Sequence, residues 1–166
     1  MSKSSAVNAR EVPAPAASTG SGGFVVRGDT LSVQTEHRVE LIDVTDRIVA
    51  LVGQSGVREG IVSLWSMHTT LAVFMNESQK ALHADIKRLL ETMVQRDTDW
   101  MHNDPAHSDC DRLNADAHLR AMLLGHSLTL HVSAGELVLG QWQRVLLAEL
   151  DGPRSRTLRV QVMGIS

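Results

Sequence analysis

Alternation of apolar and polar residues with a period of two dominates the C-terminal third of this chain and limits the folds open to it. Leu128, Leu130 and Val132 face one way against Ser127, Thr129 and His131, and Leu158, Val160 and Val162 alternate with Thr157, Arg159 and Gln161. Side chains change sides at every residue only in an extended strand, so one apolar row per strand means one buried face. Half-buried strands of this kind belong to antiparallel sheets, whereas covered parallel strands read as continuous apolar runs. The clustering of strands at the C-terminal end therefore disfavours a doubly wound parallel sheet. Between the alternating segments, Ser133-Ala134-Gly135 turns the chain, Leu137 to Leu139 and Gln143 to Leu150 are extended, and Asp151-Gly152-Pro153-Arg154 forms a stiff turn.

Upstream, Thr30 to Thr35 and Arg38 to Ile42 also read as strands. Asp43 or Thr45 can cap a helix carrying Ile48, Val49, Leu51 and Val52, ending near Gly53. Ile61 to Met67 is apolar on both faces, which predicts a central, covered strand, and Leu71 to Met75 resumes extended character after His68-Thr69-Thr70. The spacing of Leu82, Ile86, Leu89 and Met93 predicts a helix from Lys80 to about Gln95 with that stripe on one face. Asp97 to Leu113 lacks periodicity and reads as a long loop. Asn114 is placed to cap a short helix, Ala115 to Leu124, with Gly125 at its stop. The fold class is α+β: a single domain, mostly antiparallel β-sheet with about three helices packed against it.

A length of 166 residues suits one such domain with a real core. No apolar run approaches the roughly 18 residues that span a bilayer, so no membrane partner is expected. The net charge of -3 and an aromatic content of 3% argue against nucleic acid, which needs a cationic face and stacking platforms. One cysteine, Cys110, excludes an internal disulfide and fits a reducing compartment. Residues 1–23 are rich in Ala, Ser, Gly and Pro without an apolar segment, which suggests a mobile tail that is not a secretory signal, so the domain is expected to span residues 24–166 in the cytoplasm.

Of eight histidines, His37, His83 and His126 sit beside charged or helix-end positions, His131 lies on the polar side of its strand, and His107 shares the long loop with Cys110. These are expected to be surface groups. His68 at a strand end, His102 near the exit of the long helix and His118 in the first turn of the helix after Asn114 stand in better contexts. Imidazoles from separate elements suit a divalent metal, zinc above all, with one position left for water. None of them shows local ligand spacing, so the pattern alone does not establish a metal. Asp85 flanks the helical stripe, either as a costly carboxylate at the core edge or as an exposed charge. Glu149, Asp151, Arg154 and Arg156 form either a salt-linked cluster that holds the turn or an arginine fork for a phosphate or carboxylate. Trp142 is either core packing or an interface anchor.

Five ordered motifs carry a resemblance. His68-Thr69-Thr70, Asn76-Glu77, Asn114-Ala115-Asp116-Ala117-His118-Leu119, Leu139-Gly140-Gln141-Trp142-Gln143 and Glu149-Leu150-Asp151-Gly152-Pro153-Arg154 closely resemble the YjbQ family, over about Leu31 to Gly164. Its members carry the name secondary thiamine-phosphate synthase enzyme. The resemblance implies an α+β subunit in a homotrimer and a histidine pocket that takes a metal such as zinc. By position, the metal residues would be His68, His102 and His118; Trp100 precedes His102 where the family has a tyrosine. The implied side reaction joins a pyrimidine pyrophosphate to a thiazole phosphate with loss of pyrophosphate, which needs cations at the leaving group. Asp85, Glu149 and Arg154 would then be catalytic and Arg156 would bind the phosphorylated ligand. The alternative expectation is a non-catalytic trimeric protein that binds a metal or a small phosphorylated metabolite.

Overall fold

A computed structural model describes residues 22–166, so the expected mobile tail lies outside the described residues except for exposed Gly22 and Gly23. The chain runs β1 (Phe24–Gln34), β2 (Glu40–Asp43), α1 (Thr45–Ser55), β3 (Glu59–Ser66), β4 (Leu71–Asn76), α2 (Lys80–Met93), a 3-10 turn (Met101–Asn103), α3 (Ala115–Leu124), β5 (Ser127–Ser133), β6 (Glu136–Leu137), β7 (Arg144–Glu149) and β8 (Ser155–Ile165). Every strand pairing is antiparallel. Five strands form one sheet in the order β1-β8-β3-β5-β6, and three form a second in the order β2-β7-β4. This is the α+β domain the alternation predicts. No described helix is long and apolar enough to cross a membrane.

The alternation sorts the core into two layers. Leu130, Val132, Leu158, Val160 and Val162 of the large sheet pack with Ile48 and Val52 of α1 and with Val73, Val145 and Leu147 of the small sheet. The opposite face of the small sheet, Leu41, Ala72 and Ala148, meets Leu90 of α2 and Ala117 and Ala121 of α3. Alanines at this second contact let α3 lie close to the strands. Sealing a Val or Leu in either layer contributes about 1.5–3 kcal/mol. Close approach also explains Gly60 and Gly164, which face each other across β3 and β8. A Cβ on Gly60 would come within 2.7 Å of the Gly164 Cα, a distance no real contact tolerates.

Three local expectations are corrected. The first helix does not stop near Gly53 but runs to Ser55, where Gly56 takes the left-handed conformation at φ 77° that favours glycine. β3 is central in its sheet but is covered on one face only, leaving Trp65 56% exposed. In α2 the stripe of Leu82, Ile86, Leu89 and Met93 does not dock whole: Leu90 is the buried residue, while Leu89 and Met93 are 56% and 58% exposed. The helical period is right, but only Leu90, with Ile86 half-buried beside it, reaches the second core layer.

Candidate functional site

β4 and β7 lie side by side, with Leu71 opposite Glu149 at one end and Asn76 opposite Arg144 at the other. The expected site residues of the strands collect at the Leu71 and Glu149 end. On β7, Val145, Leu147 and Glu149 share a face by strict alternation, so Glu149 points the way of two core residues and is fully buried. A carboxylate there is costly unless paired. Arg156 supplies the pair, with Nε 2.6 Å from Oε2 and Nη2 2.5 Å from Oε1. The backbone N–H groups of Leu150 and Asp151 donate to Oε1 at 2.9 and 2.8 Å. The same Nη2 of Arg156 also donates to Thr70 Oγ1 at 2.8 Å. Glu149 and Arg156 thus form the closed salt-linked cluster; with 2% of its surface exposed, Arg156 is not placed as an open phosphate grip.

His68 lies just outside this pair. The Thr157 N–H donates to His68 Nε2 at 2.9 Å, so Nε2 is the bare nitrogen and the ring proton sits on Nδ1. Partial burial first, and then the positive charges of Arg156 and Arg154, lower its pKa despite the opposing charge of Glu149.

The second group forms around Asp151. Arg38 Nη1 lies 3.1 Å from Oδ1, and Oδ2 accepts from Arg154 Nη2 at 2.9 Å and from Asn114 Nδ2 at 2.8 Å. Arg112 Nη1 stands 3.8 Å away. Arg38 also reaches the fully buried Asp116, whose other oxygen faces Arg120 at 3.4 Å. Because a carboxylate only accepts, Asp151 fixes the amide of Asn114 with its nitrogen inward. Asn114 Oδ1 then faces His102 Nε2 at 3.2 Å, which makes Nε2 the donor and leaves His102 Nδ1 bare. Asn114 flanks α3 as expected but makes no side-chain cap; its amide is spent on this relay. His118, in the first turn of α3, meets His102 edge to face with ring centroids 5.0 Å apart. Burial, then the neighbouring His102, lowers the His118 pKa, against the opposing pull of Asp151 and Asp116.

Of the expected residues, His102, His118 and Arg154 therefore share one cluster, with His68, Glu149 and Arg156 on its inner side. Asp85 lies on the exposed side of α2, and none of the bonds in this cluster involves it. His37, His107 and His131 are exposed, and His107 pairs with Asp104 at 2.9 Å. The expected metal residues do not fit a three-histidine centre within one chain. No group of three or more His, Cys, Asp or Glu is placed to hold an ion among the described residues, and the Nε2 of His68 is occupied by Thr157. Arg38 and Arg112 were missed as partners of Asp151, since 113 residues separate Arg38 from Asp151 and no local pattern joins them.

Comparison with known proteins agrees with these motifs. A family model described as UPF0047 protein YjbQ-like matches residues 29–165. The chain belongs to this YjbQ family. A UPF0047 protein of Methanothermobacter thermautotrophicus is 45% identical over 134 residues, covering 81% of this chain and 90% of that one. The YjbQ-family protein YugU of Bacillus subtilis is 31% identical, covering 81% and 98%. A solved YbjQ-like protein of unknown function from Sulfolobus solfataricus superposes with a TM-score of 0.80 at 36% identity, covering 86% of this chain and 99% of that one. The YjbQ fold is thus the frame in which the histidine and arginine cluster sits.

Proposed function

We propose that this YjbQ-like protein binds a small phosphorylated metabolite against Arg38, Arg112 and Arg154 and carries out a low-efficiency group transfer on it. The observation that supports this reading is the convergence of three guanidinium groups on the single carboxylate of Asp151. Arg38 is also shared with Asp116, but Asp116 is itself faced by Arg120, so positive charge remains in excess. The side chains of Arg38, Arg112 and Arg154 are 29%, 55% and 32% exposed, so a ligand can reach them from solvent. Planar guanidinium forks match phosphate oxygens.

The chemistry is the family's side reaction. The ring nitrogen of a thiazole phosphate attacks the methylene carbon of a pyrimidine pyrophosphate, the carbon–oxygen bond breaks, and pyrophosphate leaves with the electron pair. Arg112 and Arg154 stabilise that developing charge, and Asp151 with Asn114 holds the imidazole of His102 in position. A zinc ion at His102 and His118 would need its other donors from water, ligand or a neighbouring copy. Assembly as a homotrimer belongs to the same reading, supported by the undocked stripe of α2.

Titration calorimetry with inorganic pyrophosphate, followed by an assay for the joined product, tests the proposal. Pyrophosphate is expected to bind saturably, and Arg112→Ala or Arg154→Ala to weaken it by about tenfold, the worth of one charge-assisted contact. Absence of binding at low salt would remove the reading. Binding without any product would leave the non-catalytic metabolite-binding protein.

A further inference from the structure

A concavity opens at the other end of the same strand pair, where β7 begins at Arg144 and β4 ends at Asn76. At the rise of an antiparallel strand, five residues put it about 17 Å from the Glu149 end, so it is separate from the arginine cluster. Its volume of about 650 Å³ lies within the range of small-molecule sites. Val49, Leu137 and Leu139 form an apolar floor. Trp142 stands over it with 56% of its surface exposed, an unusual state for an indole that has apolar neighbours available.

The rim is acidic. Asp43, Asp46 and Glu77 face one cation, Arg144. Arg144 Nε lies 2.8 Å from Asp43 Oδ2 and Nη2 lies 2.9 Å from Asp46 Oδ1, which neutralises only part of that charge. The Asp46 side chain is 87% exposed, and the Glu77 carboxylate has no ion pair among the described residues. The shape is held from within. Gln143 Oε1 accepts the Gly140 N–H at 2.7 Å, and the Thr45 hydroxyl accepts the Val145 N–H at 2.7 Å, so the loop before β7 is pinned at both ends.

We propose that this cleft binds a small organic cation, an ammonium on an apolar or aromatic body. The body lies on Val49 and Leu139 under the indole, and the ammonium faces Glu77 and the outer oxygen of Asp46. An indole face attracts a cation through its quadrupole, and the surplus carboxylate charge selects that sign over an anion. A neutral molecule of equal shape gains only the floor.

The test uses the full chain and three isosteric probes: phenethylammonium, 2-phenylethanol and phenylacetate, followed by nuclear magnetic resonance of the tryptophan indole N–H signals. Phenethylammonium is expected to shift the Trp142 signal saturably, with 2-phenylethanol at least about tenfold weaker and phenylacetate without effect. Glu77→Gln should weaken the ammonium by about tenfold at the same Trp142 signal, and Trp142→Leu, followed by titration calorimetry, should do so by a similar factor; both side chains are exposed, so folding is unaffected. Equal affinities for the three probes, or shifts centred on Trp65 or Trp100 instead, would overturn the proposal.

Discussion

Arg156 holds Glu149 through both carboxylate oxygens, at 2.6 and 2.5 Å, with the two side chains 3% and 0% exposed. The pair joins β7 to β8 across the Gly152–Pro153 turn, whose peptide bond is cis. Neither charge touches water, so each exists only because the other does.

Removing one partner is therefore worse than removing both. Arg156→Met should destabilise the fold by about 3–5 kcal/mol, because the Glu149 charge is left buried and unpaired. The double variant Glu149→Leu with Arg156→Met should recover a large part of that loss. Urea unfolding of the two variants beside wild type measures it; equal losses would show that the pair contributes packing and not charge balance.

The Asn114 amide decides which nitrogen of His102 carries the proton. In wild type at pH 8, nitrogen-15 resonance should find His102 as the Nε2–H tautomer. Asn114→Ala should yield a mixture of tautomers and cost about 1–3 kcal/mol, the penalty for leaving buried polar partners unmade. A wild-type ring carrying its proton on Nδ1 would show that the relay from Asp151 is not formed.

Acid should loosen the fold through two histidines. His68 and His118 both have pKa values lowered below 6.5, the first by burial and by Arg156, the second by burial and by His102. Both rings are neutral in either state above the unfolded value. Below it the unfolded chain binds protons that the folded chain refuses, so stability falls as pH drops from 6.5 toward the lowered values. Asp43 acts separately: burial raises its pKa, but bonds from Thr45 and Arg144 outweigh that and set it below 3.8, so its contribution is lost only at lower pH. Urea midpoints of metal-free protein at pH 7.5 and 5.5 test the histidine contribution. A flat profile would show that neither ring is held neutral, and an unchanged slope in His68→Gln would show that His68 is not.

The apolar stripe of α2 should be an interface between copies. Leu89 and Met93 are more than half exposed, one turn apart on a helix whose opposite side carries Lys87, Arg88 and Glu91. Sedimentation at micromolar concentration should give three copies per particle, and Leu89→Glu should reduce that number while leaving the fold intact. A wild-type monomer would end the idea.

How far the chain could be read depended on the range of each interaction. α3 was legible to its boundaries, because Gly125 and the polar residues before Ala115 act within a turn. The strands were legible because alternation is local. The role of Asn114 was not, since a residue that suits a helix cap was taken by Asp151, 37 positions away. Arg156 read as an available grip for the same reason: nothing beside it in sequence reveals that Glu149 points inward on a strand buried on both faces.

Period and turn chemistry in the sequence alone determined an antiparallel α+β domain, and its five motifs determined membership of the YjbQ family. Only the tertiary structure decided which charges are sealed and which meet solvent. Alternation assigns a side chain to a face, but packing decides what that face meets: hydrocarbon and Arg156 for Glu149, water for Leu89, and for Asp151 the guanidinium groups of Arg38 and Arg112 from distant segments beside that of Arg154 in its own turn.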